Sequence, residues 1–440
     1  MRSLTRRAVL RALGVAGAAA AVAGCAPTIG TTRMPQVAGA YDGPPVTLRF
    51  WNGLTGGDGP VMRTLIAEFT AAHPNVRIDM YALPWPDFYQ KFPAAVMSGL
   101  APDFALMHNF QVATNAARNV IMPVDEVLGT VGLTEADYLP VVWGSGVYRD
   151  QRWSLPLDMW PDSLFYNRRV LEAAGLDPET PPVDRAGYEA ALDALASTGV
   201  RGHWLPAIDP QGVGRGFDSL LWQHGGTHYD DAGRSATWAG PEGVEALAWQ
   251  QSLIRQGWSP RDVSGSDANV AFKNDQNAFL WGGPGALIND LAQVDGLDWD
   301  VAPLPRIGGE RAAFSGSHQF VVARQRTFDA DRLAAVVTFL GWILENSLGW
   351  ASAGPVPARL PVLRSPELQD LPAQAHVAQG VEHIRFYPLV PGIAEVQTTI
   401  LYPAVGDALL SLGDPRTALE TATTQASFLL TENASKYGEA

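Results

Sequence analysis

Apolar and polar positions follow two different periods in the N-terminal part of the chain. VTLRFW (46–51) alternates between them and is rich in β-branched and aromatic residues, which predicts a strand. VMRTLIAEFTAAHP (61–74) has apolar residues at positions 61, 62, 65, 66 and 69, the spacing of an amphipathic helix. NVRIDMYAL (75–83) favours another strand, and a helix around 86–100 and a strand at 102–108 follow. Two strands joined by a crossover helix predict a parallel sheet in an α/β layer.

After residue 110 the pattern changes, and strands become separated by longer helical stretches. RWSLPLDMWPDSLFYN (152–167) predicts a strand, a loop and a second strand. Further predicted elements are helices at about 168–175, 184–198, 216–225 and 241–256 and strands at 300–307 and 318–324. From residue 329 the pattern is mainly helical, interrupted by the loop GPVPARLPV (354–362). No fixed-period repeat is visible, which argues against a solenoid.

The N-terminus has the layout of an export signal. Arg6 and Arg7 precede an uncharged stretch of 13 residues (12–24), too short for the roughly 20 apolar residues of a membrane span. VAGC resembles the lipobox of bacterial lipoproteins, and the paired arginines resemble a twin-arginine signal. We therefore expect residues 1–24 to be a signal peptide and Cys25 to carry a lipid at the outer face of the cell membrane, or in the periplasm of a Gram-negative host. The alternative is an incidental cysteine in a cytosolic chain.

Charge and cysteine content restrict the classes of partner and of site that the chain can have. Without residues 1–24 the chain has 416 residues, and loss of four arginines leaves 27 basic against 45 acidic residues, a formal charge of −18. This sign argues against nucleic acid or an anionic membrane surface as a partner. A single cysteine excludes a disulfide framework and a thiol metal site. The Pro/Gly/Thr/Ala-rich segment 26–45 has no hydrophobic period and predicts a flexible tether.

A family resemblance is spread over nearly all of the chain after residue 46. The stretches that carry it are LRFWNGLTGGDGPVMRTLIAEFTAAHPNVRIDM, PWPDFYQKFPAAVMSGLAPDFALMH, SLPLDMWPDSLFYNRRVLEAAGLDPETPP, LLWQHGGTHYDDAG, GPEGVEALAWQQSLI, NAFLWGGPGALI, DWDVAPLPRIGG, GSHQFVVAR and WASAGPVPARLPV. In their order and spacing they resemble the extracellular solute-binding proteins of ABC importers, specifically the large group that captures sugars.

The resemblance implies an α/β fold of the periplasmic-binding-protein type, with two lobes, hinge strands and a ligand cleft between the lobes. The chain is expected to cross between lobes near 155, near 303 and after 350. Lobe I is then 46–155 plus about 303–355, and lobe II is 156–302 plus about 356–440.

The same resemblance implies a function without catalysis. Lobe closure captures a sugar, and the closed protein, as a monomer, delivers it to the membrane subunits of an importer that uses ATP. No cofactor or metal is expected, because the Gly-rich loop 52–60 lacks the GK[ST] of a phosphate-binding loop.

Candidate ligand-binding residues follow the first strand. Trp51, Asn52, Thr55 and Asp58 lie where parallel strands end and helix N-termini direct N–H donors into a crevice. Asp58 accepts ligand hydroxyls on this interpretation, or only caps the following helix.

Three further candidates lie at the same expected edge of the sheet. Trp85 stands between two prolines at the start of a helix, a poor position for a core residue, and is predicted to stack on the ligand. His108 and Asn109 end the third predicted strand. The alternative for His108 is a hydrogen-bonded histidine between the lobes.

Asp158, Trp160, Trp222 and Trp281 are candidates nearer to or within the second lobe. Asp158 is expected at a lobe crossing, where a carboxylate fixed by backbone donors binds paired hydroxyls. Trp222 has the alternative of a core position beside two leucines. Trp281 stands near a Gly-Pro whose usual following tryptophan in the family is Gly285 here.

Ser317, His318 and Arg359 complete the candidate set. Because these positions include one arginine and no lysine, neutral mono-, di- or oligosaccharides are favoured over phosphorylated ligands. A polyol, polyamine or peptide is the alternative, since Asp58 and Asp158 also suit a cation.

The main catalytic alternative is a glycoside hydrolase. Such an enzyme needs two carboxyl groups about 5–9.5 Å apart, and Asp58 and Asp158 are the available pair. The chain has no G-x-S-x-G, H-E-x-x-H or EF-hand motif. A surface protein that binds a protein partner in the cleft is a third possibility.

Replacement of Cys25 tests the export signal. We expect Cys25→Ser to abolish lipid attachment, so that the protein no longer partitions with membranes as a processed lipoprotein. Detergent phase separation and mass spectrometry of the mature N-terminus measure this. A variant that remained a membrane-bound, processed lipoprotein would contradict the assignment.

Overall fold

The computed structural model describes residues 34–37 and 39–438. The predicted signal peptide, Cys25 and residues 26–33 of the predicted tether lie outside the described residues. Its strands are β1 (Val46–Asn52), β2 (Val76–Ala82), β3 (Phe104–His108), β4 (Val147–Tyr148), β5 (Gln151–Arg152), β6 (Leu155–Pro156), β7 (Asp158–Pro161), β8 (Ser163–Asn167), β9 (Phe279–Gly282), β10 (Trp299–Pro303), β11 (Ala313–Gly316), β12 (His318–Val322), β13 (Val356–Pro357) and β14 (Ile384–Arg385).

The helices in the described residues cover the sheets and form most of the C-terminal part. They are α1 (Asp58–Ala72), α2 (Trp85–Ser98), α3 (Val112–Ala117), α4 (Leu128–Val131), α5 (Pro140–Gly144), α6 (Arg168–Ala173), α7 (Arg185–Ser197), α8 (Pro210–Gln223), α9 (Pro241–Arg255), α10 (Gly265–Lys273), α11 (Gly285–Ala292), α12 (Ala330–Glu345), α13 (Ser347–Ala351), α14 (Leu360–Leu363), α15 (Pro372–Ala378), α16 (Ile393–Val396), α17 (Tyr402–Ser411) and α18 (Pro415–Lys436), with a π-helical turn at Gln397–Leu401.

The predicted βαβ unit is part of a five-stranded sheet with the order β2-β1-β3-β12-β6. β1 runs parallel to β2 and β3, and β12 returns from much later in the chain, antiparallel to β3. The β3–β12 register places His108 directly opposite His318. Two histidines that are 210 positions apart in the sequence thus become neighbours at one edge of this sheet.

Two smaller sheets connect to the first. β10-β8-β9 form an antiparallel sheet, and β13-β7-β11-β14 form a four-stranded sheet. β7 lies between β6 of the five-stranded sheet and β8 of the three-stranded sheet along the chain, and β11 lies between β10 and β12. β7 pairs with both β11 and β13, so these connecting strands lie side by side.

The first sheet is built on an aromatic core. The rings of Phe50 and Phe104 stack at 4.6 Å, and Phe320 and Phe339 pack around them. All four side chains are fully buried. The C-terminal helices α17 and α18 pack with α8 and α9 around a second core.

Most predicted elements are confirmed, with three differences at their ends. α8 begins at Pro210 rather than at 216. Proline fits the first helical turn, and the glycines at 212, 214 and 216 do not interrupt the helix. The strand predicted at 300–307 ends at Pro303, and the connecting strand β11 follows only at Ala313. The predicted tether already contacts the folded part of the chain at Tyr41, whose backbone N–H donates to the hydroxyl of Thr338 (2.8 Å).

Truncation of Phe50 tests the core. We expect Phe50→Ala to lower the free energy of unfolding by about 3–5 kcal/mol, because it removes a stacked ring and leaves a cavity. Urea denaturation followed by fluorescence measures the loss. Phe428→Ala is the matched control, since Phe428 is 68% exposed on α18, and it should change stability by less than about 0.5 kcal/mol.

Candidate functional site

A cavity of about 750 Å³, called here the larger chamber, lies next to the edge of the five-stranded sheet. Its walls include Thr55, Trp85, Tyr89 and His108 from the first part of the chain and α8 and the 392–399 segment from later parts. A smaller chamber of about 210 Å³ is lined by Asp58, His108, Trp160, Gly283, Gly285, Arg215, His318, Trp350, Ala353 and Pro355. The chambers share His108 and Arg215, so we describe them as one cleft.

Trp85 forms an aromatic wall of the larger chamber. Its ring lies directly over the backbone of Gly53, where a Cβ atom would come within 2.0 Å of the indole. The indole centroid is 4.1 Å from that of His108 and 5.7 Å from that of Tyr89. Trp85 is therefore a half-buried, well-supported platform, and Gly53 is needed for its position.

Tyr89 fixes the ring of His108. The Tyr89 hydroxyl accepts the backbone N–H of His108 (3.2 Å) and lies 2.6 Å from its Nδ1. Burial, together with the charges of His318 and Arg215, holds the pKa of His108 well below its ordinary value. The ring is therefore neutral, and its Nδ1 shares one hydrogen bond with the Tyr89 hydroxyl.

Asp158 is fully buried beneath the smaller chamber. One carboxylate oxygen accepts the backbone N–H of His318 (2.7 Å), and the other accepts His318 Nδ1–H (2.6 Å) and Trp350 Nε1–H (2.7 Å). Burial alone would lower the pKa of His318, but the Asp158 carboxylate outweighs it and raises this pKa above the ordinary value. Contrary to the sequence-based expectation, Asp158 positions His318 and does not itself line the cleft.

Trp160 and Arg215 line the smaller chamber beside the two histidines. The Trp160 ring packs over Gly316, where a Cβ atom would come within 1.8 Å of it. The guanidinium of Arg215 lies 5.0 Å from the Trp160 ring centroid and 5.4 Å from that of Phe314. Both cation–π distances are within the range that stabilises such contacts.

The cleft brings together six of the residues predicted from the sequence. They are Thr55, Asp58, Trp85, His108, Trp160 and His318.

Four other predicted residues lie behind the cleft. Trp51 packs against β2, and Asn52, Asn109 and Ser317 are fully buried. The side-chain oxygen of Asn52 accepts the backbone N–H of Leu54 (3.0 Å), and that of Asn109 accepts the backbone N–H of Ser317 (3.2 Å). Their polar groups hold the loops that end the strands, so they shape the cleft without lining it.

Three more predicted residues lie away from both chambers. Trp222 packs against the second core. Trp281 stacks on Trp249 with ring centroids 5.5 Å apart. Arg359 pairs with Asp137 (3.6 Å). In each case the aromatic or cationic side chain contacts other residues of the same chain, which the local sequence did not indicate.

Sequence reasoning missed several residues of the cleft. Arg215, Tyr89, Phe110 and Glu395 line it, and so does Trp350. Tyr89 lies one turn after Trp85 on α2, a spacing that puts both on one helix face, so this signal was available. Arg215 stands between two glycines on α8, and only the fold shows which way this helix faces.

Other kinds of site are absent from the part of the chain that the structure describes. Within residues 34–37 and 39–438 there is no group of three or more His, Cys, Asp or Glu residues that would hold a metal ion. Among the same residues no helix combines the length and the apolar character that crossing a membrane requires.

Replacement of Asp158 tests its role. We expect Asp158→Asn to lower the pKa of His318 below its ordinary value of 6.5, since burial then acts without the carboxylate. In the native protein this pair stabilises the fold below the unfolded pKa of about 6.5, and the stabilisation is lost as pH rises through the folded pKa. NMR titration of His318 measures the change.

His203 is the matched control for this titration. Burial lowers its pKa to about 3, so its ring stays neutral throughout the titration range of His318 in both proteins. An unchanged pKa of His318 in Asp158→Asn would contradict the positioning role.

The comparisons with known proteins agree on one family. The sequence profile of the family described as bacterial extracellular solute-binding protein matches residues 53–346. The sn-glycerol-3-phosphate-binding periplasmic protein UgpB of Escherichia coli K12 is 24% identical over 322 residues, which cover 69% of this chain and 72% of that protein.

Solved structures show the same fold at low identity. The sugar-binding protein MalE of Xanthomonas citri superposes with a TM-score of 0.78 at 19% identity, covering 90% of this chain and 100% of that chain. The cyclic α-maltosyl-1,6-maltose binding protein of Arthrobacter globiformis gives a TM-score of 0.75 at 22% identity, over 88% and 100%. UgpB of Mycobacterium tuberculosis, solved with glycerophosphocholine, gives a TM-score of 0.76 at 18% identity and covers 89% of this chain and 99% of that chain. The fold is thus the two-lobed α/β fold of periplasmic binding proteins, and the chain belongs to the family of bacterial extracellular solute-binding proteins.

Proposed function

We propose that this protein is the lipid-anchored receptor of an ABC importer and captures a sugar in the cleft between its lobes. The observation that carries the proposal is the cleft itself, with chambers of about 750 and 210 Å³ that are each lined by aromatic side chains. Ligand sites are typically concave and mainly apolar, with a few polar groups that fix orientation. This cleft has that composition.

The larger chamber suits a sugar ring. Trp85 presents an indole face, and such a face packs well against the C–H side of a pyranose. His108 offers its imidazole ring, and Thr55 and Asp58 add a hydroxyl and a carboxylate nearby. A ligand with both an apolar face and hydroxyl groups satisfies these groups together.

The arrangement of the connecting strands supports capture by closure. Both sides of the cleft come from distant parts of the chain, and β7, β11 and β13 join them side by side. A ligand that contacts both sides stabilises the closed form through its differential affinity for that form. We assign lobe I to 46–155 plus about 303–355 and lobe II to 156–302 plus about 356–440.

Export and anchoring complete the proposal. The family is extracellular or periplasmic, and a lipid on Cys25 would keep the receptor near the membrane subunits of its importer. We propose that it acts as a monomer and uses no cofactor. Sugar-binding MalE and the maltosyl-maltose binding protein support a sugar as ligand, whereas UgpB supports a phosphorylated polyol.

The geometry argues against glycoside hydrolysis. A hydrolase needs two carboxyl groups that flank the scissile bond. Asp58 lines the smaller chamber, but both oxygens of Asp158 accept hydrogen bonds from His318 and Trp350. The carboxyl pair that the sequence offered is therefore not available for catalysis, which supports binding as the function.

Truncation of Trp85 tests the proposed site. A screen of neutral sugars, sugar phosphates, polyamines and peptides by thermal melting first identifies a ligand, since one at 100 times its Kd adds about 2.7 kcal/mol. We expect Trp85→Ala to weaken its binding at least about tenfold, because stacking is lost. Isothermal titration calorimetry measures this, and mass spectrometry should recover the ligand unchanged.

Tyr81→Ala is the matched control for Trp85→Ala. Tyr81 is an aromatic residue that is 53% exposed and does not line either chamber. Its loss should leave affinity unchanged. Equal affinity in both variants would contradict the assignment of the cleft as the binding site. Hydrolysis of the ligand would contradict the proposed receptor function.

A further inference from the structure

Arg215 has a central position in the cleft. It is the only cationic side chain that lines both chambers of the described cleft, and it lies on α8. Its glycine neighbours fix this position. A Cβ atom at Gly214 would lie 2.0 Å from the ring of Tyr402, and one at Gly216 would lie 3.1 Å from Gln250. α8 therefore packs tightly at this turn, and Arg215 is held at the cleft.

The guanidinium of Arg215 lacks a polar partner in the described part of the chain. No carboxylate oxygen there lies within 4.0 Å of it, and no side-chain hydrogen bond forms from its nitrogens. Arg118, which also lines the larger chamber, differs in this respect. Its Nε and a terminal nitrogen donate to the hydroxyl of Tyr437 at 3.1 and 2.9 Å.

The nearest buried acids do not supply the missing partner. Burial raises the pKa of Asp218 to about 8, and its carboxyl is hydrogen-bonded to Tyr387 and Tyr402. At pH 7 it is therefore mainly neutral. Burial also raises the pKa of Asp162, to about 6. Asp162 is mainly ionised at pH 7, but it lies behind Gly283, outside both chambers and without an ion pair to Arg215.

The ring contacts orient the guanidinium. Its carbon is 5.0 Å from the Trp160 ring centroid and 5.4 Å from that of Phe314, so apolar rings occupy part of its surroundings. The N–H groups are then available for an external acceptor. A planar guanidinium binds carboxylate and phosphate oxygens through paired hydrogen bonds.

Lobe closure makes the absence of a partner more costly. When the cleft closes, water is removed from Arg215, and an unpaired buried cation is strongly unfavourable. Asp58 and Glu395 are the carboxylates that line the chambers, and neither lies within 4.0 Å of the guanidinium. A neutral ligand offers hydroxyls but no charge in direct contact with Arg215. An anionic group on the ligand would provide both the charge and the acceptors.

We propose that Arg215 binds an anionic group, a carboxylate or a phosphate ester, on the captured sugar or polyol. This inference rests on the proposed function and narrows its ligand class. The sequence disfavoured phosphorylated ligands because Arg359 was the one arginine among the candidates. Arg359 pairs with Asp137 outside the chambers, whereas Arg215 lines both, so that reason no longer holds.

Matched ligand pairs test the inference. The full-length mature protein is titrated with glucose, glucose 6-phosphate and glucuronate, and with glycerol and sn-glycerol 3-phosphate. We expect an acidic member to bind at least about tenfold more tightly than its neutral counterpart, with an affinity that falls as salt rises. Comparison of glucuronate with the phosphates shows which anion is bound.

Variants separate a direct contact from general charge. Arg215→Gln should weaken binding of the acidic ligand at least about tenfold and binding of its neutral counterpart less than about threefold. The affinity of Arg215→Lys for the acidic ligand should lie between those of the native protein and Arg215→Gln. Lysine keeps the charge but lacks the paired N–H donors of a guanidinium. Arg77→Gln is the matched control: it removes an equal charge at an exposed arginine that pairs with Asp79 outside both chambers, and it should change both affinities less than about threefold.

Each other outcome overturns the inference. If a neutral member binds as tightly as the acidic one and Trp85→Ala weakens it, the receptor proposal stands and the anion contact fails. Equal losses in Arg215→Gln and Arg77→Gln would show an effect of overall charge and not a direct contact. If no member of any pair binds, the sugar or polyol receptor and the anion contact both fail. Circular dichroism melting confirms that each variant is folded before titration.

Discussion

One buried carboxylate connects the parts of this fold that must cooperate. Asp158 is the first residue of β7, directly after the chain leaves the five-stranded sheet. It accepts two hydrogen bonds from His318, where β12 enters that sheet, and one from Trp350 on α13. Three segments that are far apart in sequence thus meet at two oxygen atoms. Because a buried carboxylate without such donors is strongly unfavourable, their relative position is fixed.

The same constraint determines the cleft floor. His318 lines the smaller chamber and lies opposite His108 in the β3–β12 register. His108 is fixed in turn by Tyr89, which lies one turn after Trp85. The contacts of Asp158 therefore extend, through two histidine rings with centroids 5.2 Å apart, to the aromatic wall of the larger chamber. A rigid wall of this kind reduces the entropy that a ligand must overcome on binding.

Glycines provide the space for the aromatic walls. Trp85 lies over Gly53 and Trp160 over Gly316, and any side chain at either glycine would overlap the indole. Gly214 has the same relation to Tyr402 beneath Arg215. Each chamber of the cleft is thus lined by a large ring that packs directly on the backbone of a glycine. The family match places this architecture among extracellular solute-binding proteins.

The sequence by itself determined the elements of the fold and its family, because helical and strand periods reflect local burial. It also indicated Trp85, His108 and Asp58, because residues after parallel strands meet at one edge of a sheet. It did not determine the partners of polar and aromatic side chains. Asp158, Trp281 and Arg359 looked available in sequence, yet each is used by a protein partner. Arg215 looked incidental, yet it lines the cleft. Only the tertiary structure decides these cases, because pairing and solvent access depend on residues outside the local segment, from 32 positions away for Trp281 and Trp249 to 222 for Arg359 and Asp137.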